Sequence, residues 1–176
     1  TGGIGGTGIA AGPITAFGSI FVNGVEYDID QATLTRNGLP ATGQNDYRIG
    51  EYVTIKGTVN ADGLTGTATE VLFSNEVEGT VTSLSNDGVT IGIMGQMVRV
   101  NDSSVFHGFQ QLSELMMGNV VEVSGVRDAQ NALVAASITL ERERYAEGET
   151  LELKGIIQQL DPVAKTFQMD GLIVDY

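Results

Sequence analysis

The stretch Ile49-Gly-Glu-Tyr-Val-Thr-Ile-Lys-Gly-Thr-Val59 is matched further along the chain by Met117-Gly-Asn-Val-Val-Glu-Val-Ser-Gly-Val-Arg127. Gly50 and Gly118 lie 68 residues apart, and the second glycines of the two stretches share that offset. Apolar and polar residues alternate between the glycines, which predicts a β-strand with one buried face. The residues predicted to be buried are Val53, Ile55, Val121 and Val123. A polar turn and a second strand-like segment follow both stretches, so the chain contains an internal repeat.

The repeat gives two complete copies and part of a third. The front halves of the copies align on glycines 24, 95 and 171, and Asn23-Gly24 and Asp170-Gly171 have the residues of tight hairpin turns. Gly57 and Gly125 are expected at bends or bulges within a strand. We predict a glycine-rich linker over residues 1–11, a first module over 12–74, a second over 75–146, and the first half of a third over 147–176.

Composition and element order favour an all-β protein. The chain has 24 glycines among 176 residues, about twice average usage, and β-branched residues are abundant. Apolar residues at helical spacing over Phe109–Met117 predict a short helix in the second module, whereas Gly38, Pro40 and Gly43 predict that the first module's helix is shortened or absent. Strands, a short helix and two further strands follow the order of the OB barrel. We therefore predict tandem small OB-like barrels, with SH3-like and other small barrels as alternatives.

Charge and apolar content exclude several partners and chemistries. Nine basic residues against 22 acidic ones give a net charge of −13, which repels phosphate, so no nucleic-acid partner is expected. The absence of Cys excludes disulfides and thiolate chemistry. No apolar run approaches the ~18 residues of a membrane-spanning helix, so we expect no direct membrane insertion of this segment.

The opening of the first module resembles a known family. Gly12-Pro-Ile-Thr-Ala-Phe-Gly-Ser-Ile-Phe-Val-Asn-Gly-Val-Glu-Tyr27, preceded by Gly6-Thr-Gly-Ile9, is similar to the opening of a bacterial domain-of-unknown-function family. Its members are exported proteins, often lipoproteins, built from tandem OB-like modules. The resemblance implies this fold and export. It transfers no functional residue, because the family has no established activity.

No catalytic, cofactor-binding or metal-binding residue is predicted. His107, the only histidine, has no recognisable nucleophile or carboxylate partner and is interpreted as a half-exposed residue at a strand-to-helix junction. Asp28-Ile-Asp30 and Asn60-Ala-Asp-Gly63 carry only fragments of a calcium loop and are interpreted as turns. The glycines of residues 2–8 lack the Lys-Ser/Thr of a phosphate loop.

Two classes of function are compatible with these features. The leading hypothesis is a non-enzymatic structural or interaction scaffold that is secreted, periplasmic or at the cell surface, with or without a lipid anchor. A start at Thr1 after a removed leader and a glycine-rich tether would suit such a protein. The alternative is an extracellular ligand-binding module for oligosaccharide or a divalent cation, with Ser19, Phe21 and Asn23 as the possible ligand contacts. An enzyme is the third possibility.

The incomplete third copy suggests a route to association. Residues 151–176 contain about three apolar strands but lack the Gly-x-x-Val-x-Val-x-Gly half that should close a barrel. Strands of this kind are marginal alone and expose an edge that invites pairing. We expect the segment to pack against the second module or to add its strands to another chain, giving protein partners or self-association through strands 151–176. If the natural chain continues, the missing half would instead complete the barrel within the same chain.

Overall fold

The computed structural model describes residues 7–176. It is 54% strand and 4% helix, which confirms the all-β prediction. The chain divides into two units after Asn75, one residue from the predicted module boundary. Each unit contains one module with its own core, and the second unit also contains the predicted partial third module.

The first unit has seven strands and a 3-10 helix, Gln44–Asp46. The strands are β1 Thr7–Phe17, β2 Ile20–Val22, β3 Val25–Asp28, β4 Thr33–Arg36, β5 Leu39–Pro40, β6 Tyr52–Val59 and β7 Thr65–Phe73. β1 pairs antiparallel with β2 and β6, and β3 pairs in parallel with β7. The result is a closed barrel in the order β1-β2-β3-β7-β6, which is the strand order of an OB fold.

The second unit repeats this topology and adds a further sheet. Its strands are β8 Val77–Leu84, β9 Thr90–Ile93, β10 Gln96–Arg99, β11 Val105–His107, β12 Val120–Arg127, β13 Leu133–Arg142, β14 Glu152–Leu153, β15 Ile157–Asp161, β16 Thr166–Met169 and β17 Leu172–Asp175. β8-β9-β10-β13-β12 form the barrel, which the parallel pair β10–β13 closes. β14 pairs with β8, and β15-β16-β17 form a three-stranded sheet.

In each barrel the backbones of the last two strands come unusually close at one glycine. The pairing register shifts at Gly57 in the first barrel and at Gly125 in the second. A Cβ at Gly57 would overlap the Thr67 carbonyl oxygen and lie 2.9 Å from the Cα of Ala68. The same overlap would occur at Gly125 against Val134. The register shifts lie at the predicted glycines, but the extra residue is in the partner strand, at Thr69 of β7 and Ala136 of β13. Both positions require glycine because a side chain has no room.

The hairpin turns and the buried faces also follow the repeat. Gly24 and Gly95 have φ of 79° and 77° in tight turns, as predicted. The four strand residues predicted to be buried are fully buried, and each lies in the apolar core of its barrel: Val53, Ile55, Val121 and Val123. Numbered within its own barrel, β6 or β12 is strand 4, and β7 or β13 is strand 5. The alternation in the sequence therefore identifies the inward face of strand 4 in both modules.

The segment before strand 4 differs from the predicted helix over Phe109–Met117. It contains only a 3-10 helix, Leu112–Glu114, and Phe109 stacks on Phe106 at 4.9 Å between ring centroids. Leu112 and Leu115 are buried. Residues three apart line up along a 3-10 turn, so one turn buries both leucines and a longer helix is not needed. The first module has a 3-10 helix of the same length.

The predicted linker over residues 1–11 is too long by at least five residues. Residues 7–11 belong to β1, and their backbone pairs with β6 from Thr7 opposite Thr58 to Ala11 opposite Thr54. The glycine-rich composition conceals the strand, because backbone pairing to β6 does not depend on side chains. Residues 1–6 of the predicted linker lie outside the described residues.

Substituting the bulge glycine should destabilise the first barrel. We expect Gly57→Ala to lower the free energy of unfolding by about 1–3 kcal/mol, because the new Cβ must displace backbone. Gly43→Ala is the control, since Gly43 has an extended φ and no atom near its Cβ position, and it should change stability by about 0.5 kcal/mol or less. Urea denaturation measures both. Equal losses for the two variants would contradict the role assigned to Gly57.

Candidate functional site

The three residues predicted as ligand contacts do not line one site. Ser19 borders a cavity of about 370 Å³ whose lining residues do not include Phe21 or Asn23. Phe21 is half-buried in β2. The side-chain amide of Asn23 donates a hydrogen bond to the Ala11 carbonyl at 3.0 Å, which uses it to hold β1 against the hairpin turn.

The carboxylates of the suspected calcium fragments stabilise turns. Asp62 accepts the backbone N–H groups of Leu64 at 2.8 Å and Thr65 at 2.9 Å, and the Thr65 hydroxyl at 2.7 Å. These hydrogen bonds, led by the one from Leu64, lower the pKa of Asp62. Asp87 accepts two backbone N–H groups in the same way. Over residues 7–176, no group of three or more His, Asp or Glu side chains could hold a metal ion.

His107 ends β11 and is half-buried opposite Thr139 of β13. The predicted position at the junction between a strand and a helical turn therefore agrees with the structure. The matching strand of the first module, β4, also pairs in parallel with the last strand of its barrel. The sequence did not predict either of these added strands.

A shallow groove lies over β8, β9 and β10. Its volume is about 270 Å³ and its lining includes four hydroxyl side chains, Thr82, Ser83, Ser85 and Thr90. Gly92 lies in the groove at the position that Phe21 occupies in the first module. The Ser83 hydroxyl lies where a Cβ of residue 92 would be, so a hydroxyl group takes the place of the aromatic side chain. The four hydroxyl groups can hydrogen-bond a polar ligand.

The most distinctive surface of the described chain is the sheet β15–β17, which we call the open sheet. It repeats the first three strands of a module, since residues 153–175 align with residues 77–99 without gaps. Thus Gly155 aligns with Gly79, and Gly171 with Gly95. Ile157 takes the position of Ile14 and Val81, which are 1% and 2% exposed, yet Ile157 is 55% exposed. Met169, which aligns with Ile93, is buried, so the inward face of the third copy is uncovered at Ile157 but not along its whole length.

Further apolar side chains and two strand edges are exposed on the same sheet. The exposed apolar residues of this segment are Ile156, Ile157, Leu160, Val163, Ile173 and Tyr176. Within the described chain, the outer edges of β15 and β17 pair with no strand. An exposed apolar sheet with open edges is typical of a protein interaction site.

Arg127 joins the open sheet to the second barrel. Its Nη2 donates to the side-chain oxygen of Gln96 and to the Lys154 carbonyl, each at 2.9 Å. Its guanidinium also makes ion pairs with Asp170 at 3.7 Å and Glu76 at 3.8 Å. Together these contacts hold two parts of the third copy against the second barrel: Lys154, near the start of the copy, and Asp170, in its hairpin turn.

Backbone and amide contacts complete this junction. Gln96 is fully buried and its Nε2 donates to the Met169 carbonyl at 3.4 Å, while the Gly171 N–H donates to the Gly95 carbonyl at 3.3 Å. The two hairpin turns thus meet at glycines, where neither backbone carries a side chain. The predicted packing of residues 151–176 on the second module is therefore present.

The sequence analysis missed these junction residues, although the repeat contains a signal for them. Arg127 aligns with Val59 of the first module, and Gln96 aligns with Val25. Polar residues that replace apolar ones at matching positions indicate a module with a different neighbour. Which neighbour they bind could be determined only from the three-dimensional arrangement.

The comparison with protein families identifies the class of the chain. Residues 11–71 and 78–139 each match the family described as domain of unknown function (DUF5666). The chain belongs to this family and carries two tandem copies of its domain. The matched ranges agree with the two barrels, and the open sheet lies beyond the second match.

The other comparisons found no relative. No curated protein and no solved structure matches the chain. Among the described residues, no helix has the length and apolar character needed to cross a membrane.

Removing the Arg127 side chain should loosen the open sheet. We expect Arg127→Ala to cost about 1–3 kcal/mol, because it leaves the buried Gln96 and the Lys154 carbonyl without their donor. Limited proteolysis should then cut within residues 150–176 faster than in the unchanged protein. The control is Arg99→Ala, since Arg99 makes a more exposed ion pair with Asp128 at 3.5 Å. Equal cleavage of both variants would contradict the role of Arg127.

Proposed function

We propose that this protein is a non-enzymatic scaffold of tandem OB-like modules that associates with other proteins through residues 151–176. The observation that carries the proposal is the open sheet, in which Ile157 is exposed and whose two outer edges are unpaired within the described residues. The second barrel supplies a folded base, and the Arg127 junction holds the sheet on that barrel. Strand addition to an exposed sheet edge is a common mode of protein recognition.

The use of charged groups inside the first module supports a structural role. Glu51 is buried, and its carboxylate accepts a hydrogen bond from Arg36 at 2.7 Å and from the Arg48 backbone N–H at 2.8 Å. The Arg36 guanidinium also lies 4.2 Å from the centre of the Phe73 ring. These contacts fix the segment between β5 and β6. The charges of Arg36 and Glu51 are paired with each other inside the module.

Export is the second part of the proposal. The opening of the first module resembles families of exported bacterial proteins, and an acidic protein with net charge −13 suits a role without nucleic acid. We place the protein outside the cytoplasm, in the periplasm, at the cell surface or secreted, free or held by a lipid anchor.

Sedimentation tests the association. We expect the complete chain to self-associate with rising concentration, because the exposed apolar sheet can pair with itself when no partner is present. Ile157→Asp should abolish this association, since it places a charge on the inward face. Val163→Asp, which changes an equally apolar but fully exposed turn residue, should associate like the unchanged protein. A chain that stays monomeric at all concentrations, or variants that behave alike, would contradict the proposal.

The groove over β8–β10 favours a second function, the binding of a polar ligand such as an oligosaccharide. Its support is the replacement of Phe21 by Gly92 next to four hydroxyl groups. Calorimetric titration with neutral oligosaccharides should then show saturable binding that Ser85→Ala with Thr90→Ala weakens. If the titration gives no heat of binding, or if the double substitution leaves that heat unchanged, the groove is not an oligosaccharide-binding site.

A further inference from the structure

We infer that the first module carries a binding cavity for a small ligand that combines an ammonium group with hydroxyl groups, as an amino sugar does. The site is independent of the interaction role proposed for residues 151–176. The cavity has a volume of about 370 Å³, which lies in the range of small-molecule pockets, roughly 300–1,000 Å³. It lies between the β1–β2 turn, the segment from β3 to β4 and the start of the 3-10 helix. We call it the first-module cavity.

Smaller side chains keep this cavity open in the first module. In the second module, Phe109 stacks on Phe106 at 4.9 Å between ring centroids, and both rings pack against the barrel core. The residue that aligns with Phe109 is Ala41, at the same offset of 68 residues as the glycines that open strand 4. The residue at the strand position of Phe106 is Leu34, because β4 and β11 pair with matching residues of their last strands. Ala41 and Leu34 both line the cavity, so the first module has open space where the second has two rings.

A carboxylate determines the charge that the first-module cavity favours. Asp30 lines the cavity, and its backbone N–H donates to the Asp28 carboxylate at 2.9 Å, so a second negative charge lies close by. A ligand ammonium group would make a charge-assisted hydrogen bond to Asp30. The second module has Asn101 at the position of Asp30. Its own cavity at this end of the barrel, about 320 Å³ in volume, is lined by uncharged residues. The preference for a cation is therefore specific to the first module.

The other lining groups suit the hydroxyl groups and the carbon ring of a sugar. Ser19 and Thr42 bring hydroxyl groups to the cavity, and Ile29 gives it an apolar wall. The side-chain oxygen of Gln44 accepts the Gly18 N–H at 3.1 Å, which holds the amide at the cavity. That amide also carries two N–H donors. A sugar has hydroxyl groups around its edge and C–H groups on its faces, so an amino sugar matches the polar, apolar and acidic parts of the lining together.

An NMR titration of the complete protein with D-glucosamine tests the inference. At a slightly acidic pH, where the amine of the sugar is protonated, we expect saturable shifts of the backbone amides of Gly18, Ser19 and residues 41–44. The matched control ligand is D-glucose, which has a hydroxyl group in place of the ammonium group. It should bind roughly tenfold or more weakly, because one charge-assisted hydrogen bond is lost.

Two substitutions give the first-module cavity the residues of the second module. Asp30→Asn removes the charge and should weaken glucosamine binding by roughly tenfold, and Ala41→Phe should abolish binding because the new ring fills the cavity. The control is Glu26→Gln, which removes a charge of the same module outside the cavity lining and should bind like the unchanged protein. Asp30 is exposed, so Asp30→Asn keeps the fold and the test stays decisive if Ala41→Phe does not fold.

Three results would overturn the inference: no saturable shift at the cavity amides, equal binding of glucosamine and glucose, or equal binding by the Asp30→Asn and Glu26→Gln proteins. Shifts confined to residues 82–97 would also overturn it, because they would place the sugar in the groove over β8–β10. None of these results changes the self-association expected of residues 151–176, so the two proposals can fail separately.

Discussion

The close contact between strands 4 and 5 at Gly57 and Gly125 is the constraint on which both barrels depend. A small barrel closes only if its strands twist and bend enough for strand 5 to pair with strand 4 on one side and strand 3 on the other. The extra residue of the bulge lies in strand 5, at Thr69 in the first barrel and Ala136 in the second, opposite the glycine of strand 4. A bulge bends the strand that carries it, and the missing side chain of the glycine lets the neighbouring carbonyl approach. Strand 5 then pairs in parallel with strand 3, which closes each barrel.

The third copy is described over its first three strands. Its first three strands keep the turn and the register of a module, yet Ile157 is exposed where its counterparts are buried. The sheet is instead fixed at one end, through Arg127, the buried Gln96 and the contact between Gly95 and Gly171. The polar contacts of Arg127 and Gln96 fix one end of the sheet, while Ile157 on its inward face stays exposed. A partner can therefore bind the sheet without any part of the protein unfolding first.

Local pattern predicted much of the fold, and the limits of the prediction have physical causes. Alternation identified Val53, Ile55 and their repeats as core, and glycine chemistry identified the hairpin turns, because both depend on neighbours in sequence. Residues 7–11 were mistaken for linker because their pairing with β6 is made by backbone. The three candidate contacts Ser19, Phe21 and Asn23 share one face of a strand pattern. The structure nevertheless uses Asn23 to bind Ala11 and puts Ser19 in a separate cavity.

Amide hydrogen exchange tests the central claim that the third copy is an open half-barrel beside two closed ones. Slow exchange requires that an amide stay hydrogen-bonded within the fold. The account predicts strong protection throughout β1, β3, β8 and β10, and rapid exchange at the outward-facing amides of β15 and β17. Protection of the β15 and β17 edges in the isolated monomer, equal to that of β8 and β10, would contradict the account.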